Sequence, residues 1–167
     1  CLRIGVRPWK DAYAVIELDP FGLELIHRYK YSGQVELARA FAALGAETIR
    51  RSGTVFDAIV PVPLHWTRYL GRGFNQAHLF CRLLGGELGI PVRGYLVRSR
   101  ATRRQARLNR EQRLNNLTEA FALRRGANPD GLRLLLIDDV LTTGATLTEA
   151  CRPLAKAQVS IMVIGRR

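Results

Sequence analysis

The chain has 167 residues, 47% of them hydrophobic and 24% charged, with 26 Lys and Arg against 14 Asp and Glu, a formal net charge of +12. That length suits one domain with one buried core, and no run approaches the roughly 20 apolar residues of a membrane span. No basic stretch followed by an apolar one opens the chain, so a cytoplasmic protein attracted to polyanions is the expectation. Cys1, Cys81 and Cys151 are odd in number and lack C-x-x-C spacing, which writes neither a disulfide framework nor a zinc site.

Ala12 to Ile16 is apolar and β-prone between Asp11 and Pro20, a short strand or a docking arm. From Gly22 the apolar residues Leu23, Leu25, Ile26 and Tyr29 follow helical spacing, ending near Ser32-Gly33. A second helix runs from Val35 to about Arg51, with Leu37, Ala40, Phe41, Leu44 and Ile49 on its apolar face. Between the helices Lys30 stands among aromatics ahead of the glycine turn, facing either a substrate or a neighbouring helix. Phe56 to Val60 reads as the first core strand, and Pro61-Val62-Pro63-Leu64-His65 after it reads as a shaped loop, because proline lacks the ladder donor. Arg72, Asn75 and Gln76 then precede a helix rich in Ala77, Leu79, Phe80, Leu83 and Leu84, which Gly89 closes.

Leu96-Val97 fits a further strand. Seven arginines follow between positions 98 and 113, with few apolar neighbours, so this segment cannot bury itself. Three readings of it stay open: a catalytic lid, a nucleic-acid surface and a solvated helix. Arg103, Arg104 and Arg107 are the lid candidates. Ala120 to Leu123 is a short strand and Asn128-Pro129-Asp130-Gly131 a turn.

The most informative run is 134–146. Leu134-Leu135-Leu136-Ile137 reads as a strand buried on both faces, as in a parallel sheet covered by helices. Asp138 and Asp139 are placed at its carboxyl end, where open α/β sheets bind ligands, and Val140 and Leu141 lead into Thr142-Thr143-Gly144-Ala145-Thr146, whose backbone N–H groups suit a phosphate. A helix from Thr146 to about Gln158 is expected to be kinked or shortened by Pro153, and Val159 to Ile164 closes the sheet.

This run resembles the phosphoribosyl-pyrophosphate (PRPP) motif of the type I phosphoribosyltransferases. Together with Lys30-Tyr31-x-Gly33, Pro61-Val62-Pro63 and Arg72-Gly73-Phe74-Asn75-Gln76, it resembles the ComF family of competence-associated proteins. The resemblance implies a type I phosphoribosyltransferase fold, a twisted, mostly parallel α/β sheet flanked by helices, with residues 1–33 as the candidate hood and 34–167 as the core of a single domain. It implies that Asp138 and Asp139 take the ribose hydroxyls of PRPP and that residues 142–146 hold its 5′-phosphate. Pro61, Val62, Pro63, Leu64, His65 and Arg72 would contact pyrophosphate, with Lys30, Asn75 and Gln76 as further candidates.

The lid arginines and the two acids would carry catalysis, and Mg²⁺ would arrive with PRPP, held largely by substrate oxygens. The family also implies a part in natural transformation, with single-stranded DNA or a competence protein as partner. Its usual N-terminal zinc ribbon is not written in these residues, where only Cys1 stands at the place of its end.

Overall fold

The computed structural model describes residues 7–31, 35–63, 76–98 and 120–167. Its main sheet has four strands in the order β1-β6-β5-β2, every neighbouring pair parallel. These are β1 (Ala12–Glu17), β2 (Ala58–Pro61), β5 (Arg133–Leu141) and β6 (Gln158–Arg166). Two short strands, β3 (Leu96–Arg98) and β4 (Phe121–Leu123), form a separate antiparallel pair rather than joining that sheet. The helices are α1 (Pro20–Tyr31), α2 (Val35–Ser52), α3 (Gln76–Leu88) and α4 (Ala145–Cys151).

Parallel strands in mid-sheet must be covered on both faces, and the aliphatic runs of β5 and β6 meet that demand. Leu135, Ile137, Met162 and Ile164 face a core built with α1, α2 and α3 through Ile26, Phe41, Phe80 and Leu84. Leu134, Leu136, Ile161 and Val163 face a second core with α4 and the β3–β4 pair through Leu147, Ala150, Leu96 and Phe121. Alternate residues of one strand therefore belong to different cores.

Several boundaries differ from the sequence reading for identifiable reasons. The stretch around Ala12 is a true strand, hydrogen-bonded along β6, and α1 behind it lies against α2 and β6, so the described part of the candidate hood is built into the main sheet and its helical layer. Pro61 does not end the ladder: it pairs with Ile137, and the Val62 N–H donates to the Ile137 carbonyl at 2.8 Å. On the outer side of β2 the Ile59 N–H donates to Pro91 O, so the position without a donor, two residues on, faces away from β5. Gly85 and Gly86 leave α3 intact. A Cβ on Gly85 would stand 2.7 Å from the Ile90 carbonyl, so a side chain there would push that loop away, and Gly89 at φ 67° ends the helix. Pro153 shortens the last helix, which gives way at Cys151 to a 3₁₀ turn, Arg152–Leu154.

At the amino ends of β2 and β5, Asp57 accepts from Arg133 three times: from its backbone N–H at 2.8 Å, from Nε at 3.1 Å and from Nη2 at 2.7 Å. This forked pair holds the Asp57 carboxyl down at about 2, chiefly through the Arg133 side-chain hydrogen bonds. A lowered folded value means the contribution is present above the unfolded carboxyl value and is lost as acid protonates the folded group. Between pH about 4, the unfolded reference, and pH about 2, the urea midpoint of the wild type should therefore fall more steeply than that of Asp57→Asn. Leu136, fully buried, should cost about 2–5 kcal/mol on change to Ala, read in the same urea titrations.

Candidate functional site

The apolar alternation of β5 breaks at the acids. Leu135 and Ile137 pack on the α1–α3 side and Leu134 and Leu136 on the α4 side, yet Val140 returns to the first side and Leu141 to the second. Ile137 and Val140, three residues apart, thus share a face. Asp138 and Asp139 occupy the break, half-buried, inside the strand and not beyond its end, because pairing with β6 continues to Leu141 opposite Arg166. The Asp138 Oδ1 accepts the Asp139 backbone N–H at 2.8 Å, turning one carboxylate back on the chain.

The acids act on groups of the α1–α3 core. Tyr29, 1% exposed and edge-on to Phe41 at 5.5 Å, has its phenol pushed above its ordinary range by burial first, then by Cys81 and Asp139. The Cys81 thiol is raised by burial and, after it, by Asp138. Both groups stay protonated near the carboxylates, so neither adds negative charge to the site.

After Leu141 the chain turns through Thr142, Thr143 and Gly144, the first two exposed. Gly144 is the N-cap of α4 with φ 76°, offers no side-chain cap, and leaves the first-turn N–H groups without a side-chain acceptor from the cap. The Ala145 N–H has only a 3.4 Å approach to Thr143 Oγ1. Trp9 packs on this turn, its Cη2 lying 3.4 Å from where a Gly144 Cβ would stand, and the Arg7 guanidinium lies over the Trp9 ring at 5.7 Å. Trp9 was not a sequence candidate, and no periodicity or motif pointed to it.

Pro61 and Val62 lie beside Ile137, one residue before the acids, so the described part of the candidate pyrophosphate segment, Pro61–Pro63, flanks Asp138. Lys30 follows Tyr29 in the last turn of α1, and Gln76 is the first residue of α3. Leu64, His65, Arg72, Asn75, Arg103, Arg104 and Arg107 lie outside the described residues. The antiparallel β3–β4 pair flanks the arginine-rich segment, and Arg98 at the end of β3 stacks on Phe121 at 5.3 Å.

Residues 79–165, more than half of the chain, match the phosphoribosyl transferase domain family. The chain is 36% identical over 149 residues to competence protein F of Haemophilus influenzae, which covers 85% of this chain and 65% of that protein. It is 35% identical over 155 residues to the DNA utilization protein YhgH of Salmonella typhi, covering 89% and 67%. The chain belongs to the ComF family of phosphoribosyltransferase-type proteins. Competence protein ComFC of Bacillus subtilis is 33% identical over 133 residues, covering 77% of the chain and 51% of that relative. The chain thus spans about two thirds or less of the length of these ComF relatives. Among solved structures, glutamine PRPP amidotransferase of B. subtilis, complexed with ADP and GMP, superimposes with a TM-score of 0.53 at 19% identity, covering 83% of the chain and 30% of that chain. At that identity the likeness concerns the fold, which is the type I phosphoribosyltransferase fold.

Among the described residues no helix is long and apolar enough to cross a membrane, and no cluster of three or more His, Cys, Asp or Glu is placed to hold a metal. Gly144→Ala should destabilise the ComF chain by about 1–3 kcal/mol, the usual cost of a left-handed non-glycine residue; thermal unfolding reads it. Burial raises Cys151 to about 12. Peptide-mapped alkylation at pH 8 should therefore leave Cys81 and Cys151 unmodified in the folded chain and label both in denaturant.

Proposed function

We propose that this ComF protein binds PRPP with Mg²⁺ and transfers ribose 5-phosphate to an acceptor, releasing pyrophosphate. One observation carries the reading: two adjacent carboxylates at the break in β5, flanked by Pro61–Pro63 and followed by an uncapped turn of backbone donors, in a chain of the phosphoribosyltransferase family. In the reaction the bond from the anomeric carbon to the pyrophosphate oxygen breaks, its electron pair leaves with pyrophosphate, and the acceptor's lone pair forms the new bond. Positive charge builds on the ribose ring between the two events, so the catalyst's work is positioning and electrostatics.

In this reading Asp138 and Asp139 take the ribose 2′- and 3′-hydroxyls and stand near the developing cation. The backbone from Thr142 to Thr146 holds the 5′-phosphate. Pro61–Pro63 lie on the pyrophosphate side, as Leu64, His65 and Arg72 would by sequence, while Arg103, Arg104 and Arg107 would meet the leaving group. Two adjacent carboxylates suit a Mg²⁺ that comes bound to substrate oxygens and keeps much of its water. Neutral Tyr29 and Cys81 add no negative charge beside the acids.

The competence and DNA-utilization names of the relatives support a role in handling incoming DNA in the cytoplasm. A second reading, binding of single-stranded DNA or a partner without turnover, is favoured by the net charge of +12. Calorimetry with PRPP and MgCl₂ separates the two. Saturable heat that weakens at least tenfold in Asp139→Asn, together with pyrophosphate release in a panel of bases and amines, supports the transferase. Absence of PRPP heat, with salt-sensitive oligonucleotide binding retained, supports the second.

A further inference from the structure

Beside the phosphate-loop turn, a cavity of about 460 Å³ opens at the sheet edge formed by β1 and β6. Its volume lies in the range of small-molecule sites. Ala12 and Ala14 place only methyl groups on one face of β1, and with Val163 of β6 they make a low apolar floor on the α4 side of the sheet. Among the described elements the only helix packed broadly on β1 is α2, which belongs to the opposite core. Leu141, the last residue of β5, closes the cavity toward the turn at 142–144.

Three arginines line this cavity: Arg7, Arg166 and Arg167. Two side-chain carboxylates are present, Glu17 and Asp19, and both are engaged. Glu17 accepts from Arg166 at 3.1 Å, and Asp19 Oδ1 accepts the Gly22 backbone N–H at 2.6 Å as a helix cap. Among the described residues neither Arg7 nor Arg167 has a carboxylate partner, and Arg7 is braced by the Trp9 ring. A braced guanidinium loses little freedom when it takes an oxyanion, and its planar fork matches phosphate and carboxylate oxygens.

The geometry points to a second anion site here, for a small organic phosphate or carboxylate whose apolar body rests on Ala12, Ala14 and Val163 and whose oxygens meet Arg7 and Arg167. The cavity is distinct from the proposed PRPP site in that neither Asp138 nor Asp139 lines it. The two share one joint: Arg7 lies on Trp9, and Trp9 packs on Gly144. An occupant that draws Arg7 inward moves the indole against the phosphate turn, and by linkage the turn's occupancy changes the affinity of the cavity. Adenosine monophosphate (AMP) serves as probe because it joins a dianion to a flat apolar body, with adenosine and inorganic phosphate supplying each half alone.

The test uses the full chain in a Trp66→Phe background, which leaves Trp9 as the one indole of the two in the sequence. Titration with AMP, with and without saturating PRPP and MgCl₂, is followed by Trp9 emission. A saturable change is expected in both conditions, weakened at least tenfold in Arg7→Gln and in Arg167→Gln and retained in Asp139→Asn. Adenosine should give no response and inorganic phosphate a weaker one. Arg7→Lys, which keeps charge and loses the fork, should fall between. Circular dichroism of each variant separates lost binding from lost folding.

No saturable emission change, or a change abolished by Asp139→Asn or by saturating PRPP while Arg7→Gln leaves it intact, would overturn the second site. The same holds if only a single-stranded oligonucleotide, and not AMP, produces the response. Failure of PRPP to bind would sink the transferase reading alone, since the AMP response of the arginine variants does not depend on it.

Discussion

β5 carries four aliphatic side chains with no exposure, Leu134 to Ile137, and then two carboxylates. An ionised carboxylate in that environment would cost several kcal/mol unless solvated or paired, so the point where the apolar run stops is the point where the strand must reach water. The strand meets this by changing the face on which its residues pack, Val140 and Leu141 reversing the order set by Leu136 and Ile137. Both acids are brought to the surface within a strand that stays hydrogen-bonded to β6. Their backbone is therefore held by a ladder, and one carboxylate oxygen, Asp138 Oδ1, is turned back on the Asp139 N–H.

The neighbouring elements acquire their roles from that point. β2 can lie beside β5 up to its proline because its donor-free position faces the far side, and this brings Pro61–Pro63 alongside the acids. The turn after Leu141 needs a positive φ at Gly144, which glycine adopts without strain. α4 has only seven residues and little dipole to offer, so the turn's own N–H groups carry whatever affinity it has for phosphate. On the other flank the small residues of β1 leave a hollow beside the same turn. One loop thus stands between the paired acids of β5 and a cavity lined by three arginines and two carboxylates.

Much of this was legible in the residues. Helical spacing located α1 and α2 to within a few positions, the aliphatic runs located β5 and β6, and the acids with the Thr-Thr-Gly turn pointed to the family. What escaped has a common physical character. The reach of β5 past its acids depends on the ladder with β6, and Pro61 is tolerated because of where a neighbouring strand happens not to be. Trp9 enters the site from more than a hundred residues away in sequence. The β3–β4 pair left the main sheet because its partners are each other, which local propensity cannot express.

Side-chain pattern by itself pointed to a parallel α/β sheet with paired acids ahead of a Thr-Thr-Gly turn, and the resemblance of that run and of three shorter motifs pointed to the family that the relatives bear out. Those signals are written in consecutive residues, where local geometry and burial period decide. Tertiary structure alone decided which buried groups feel the acids' charge, that Trp9 rests on Gly144, and that Arg7, Arg166 and Arg167 line one cavity with two alanines. Each of these is a contact between segments whose separation along the chain carries no information about their distance in space, and only the parallel register of β1, β6 and β5 fixes it.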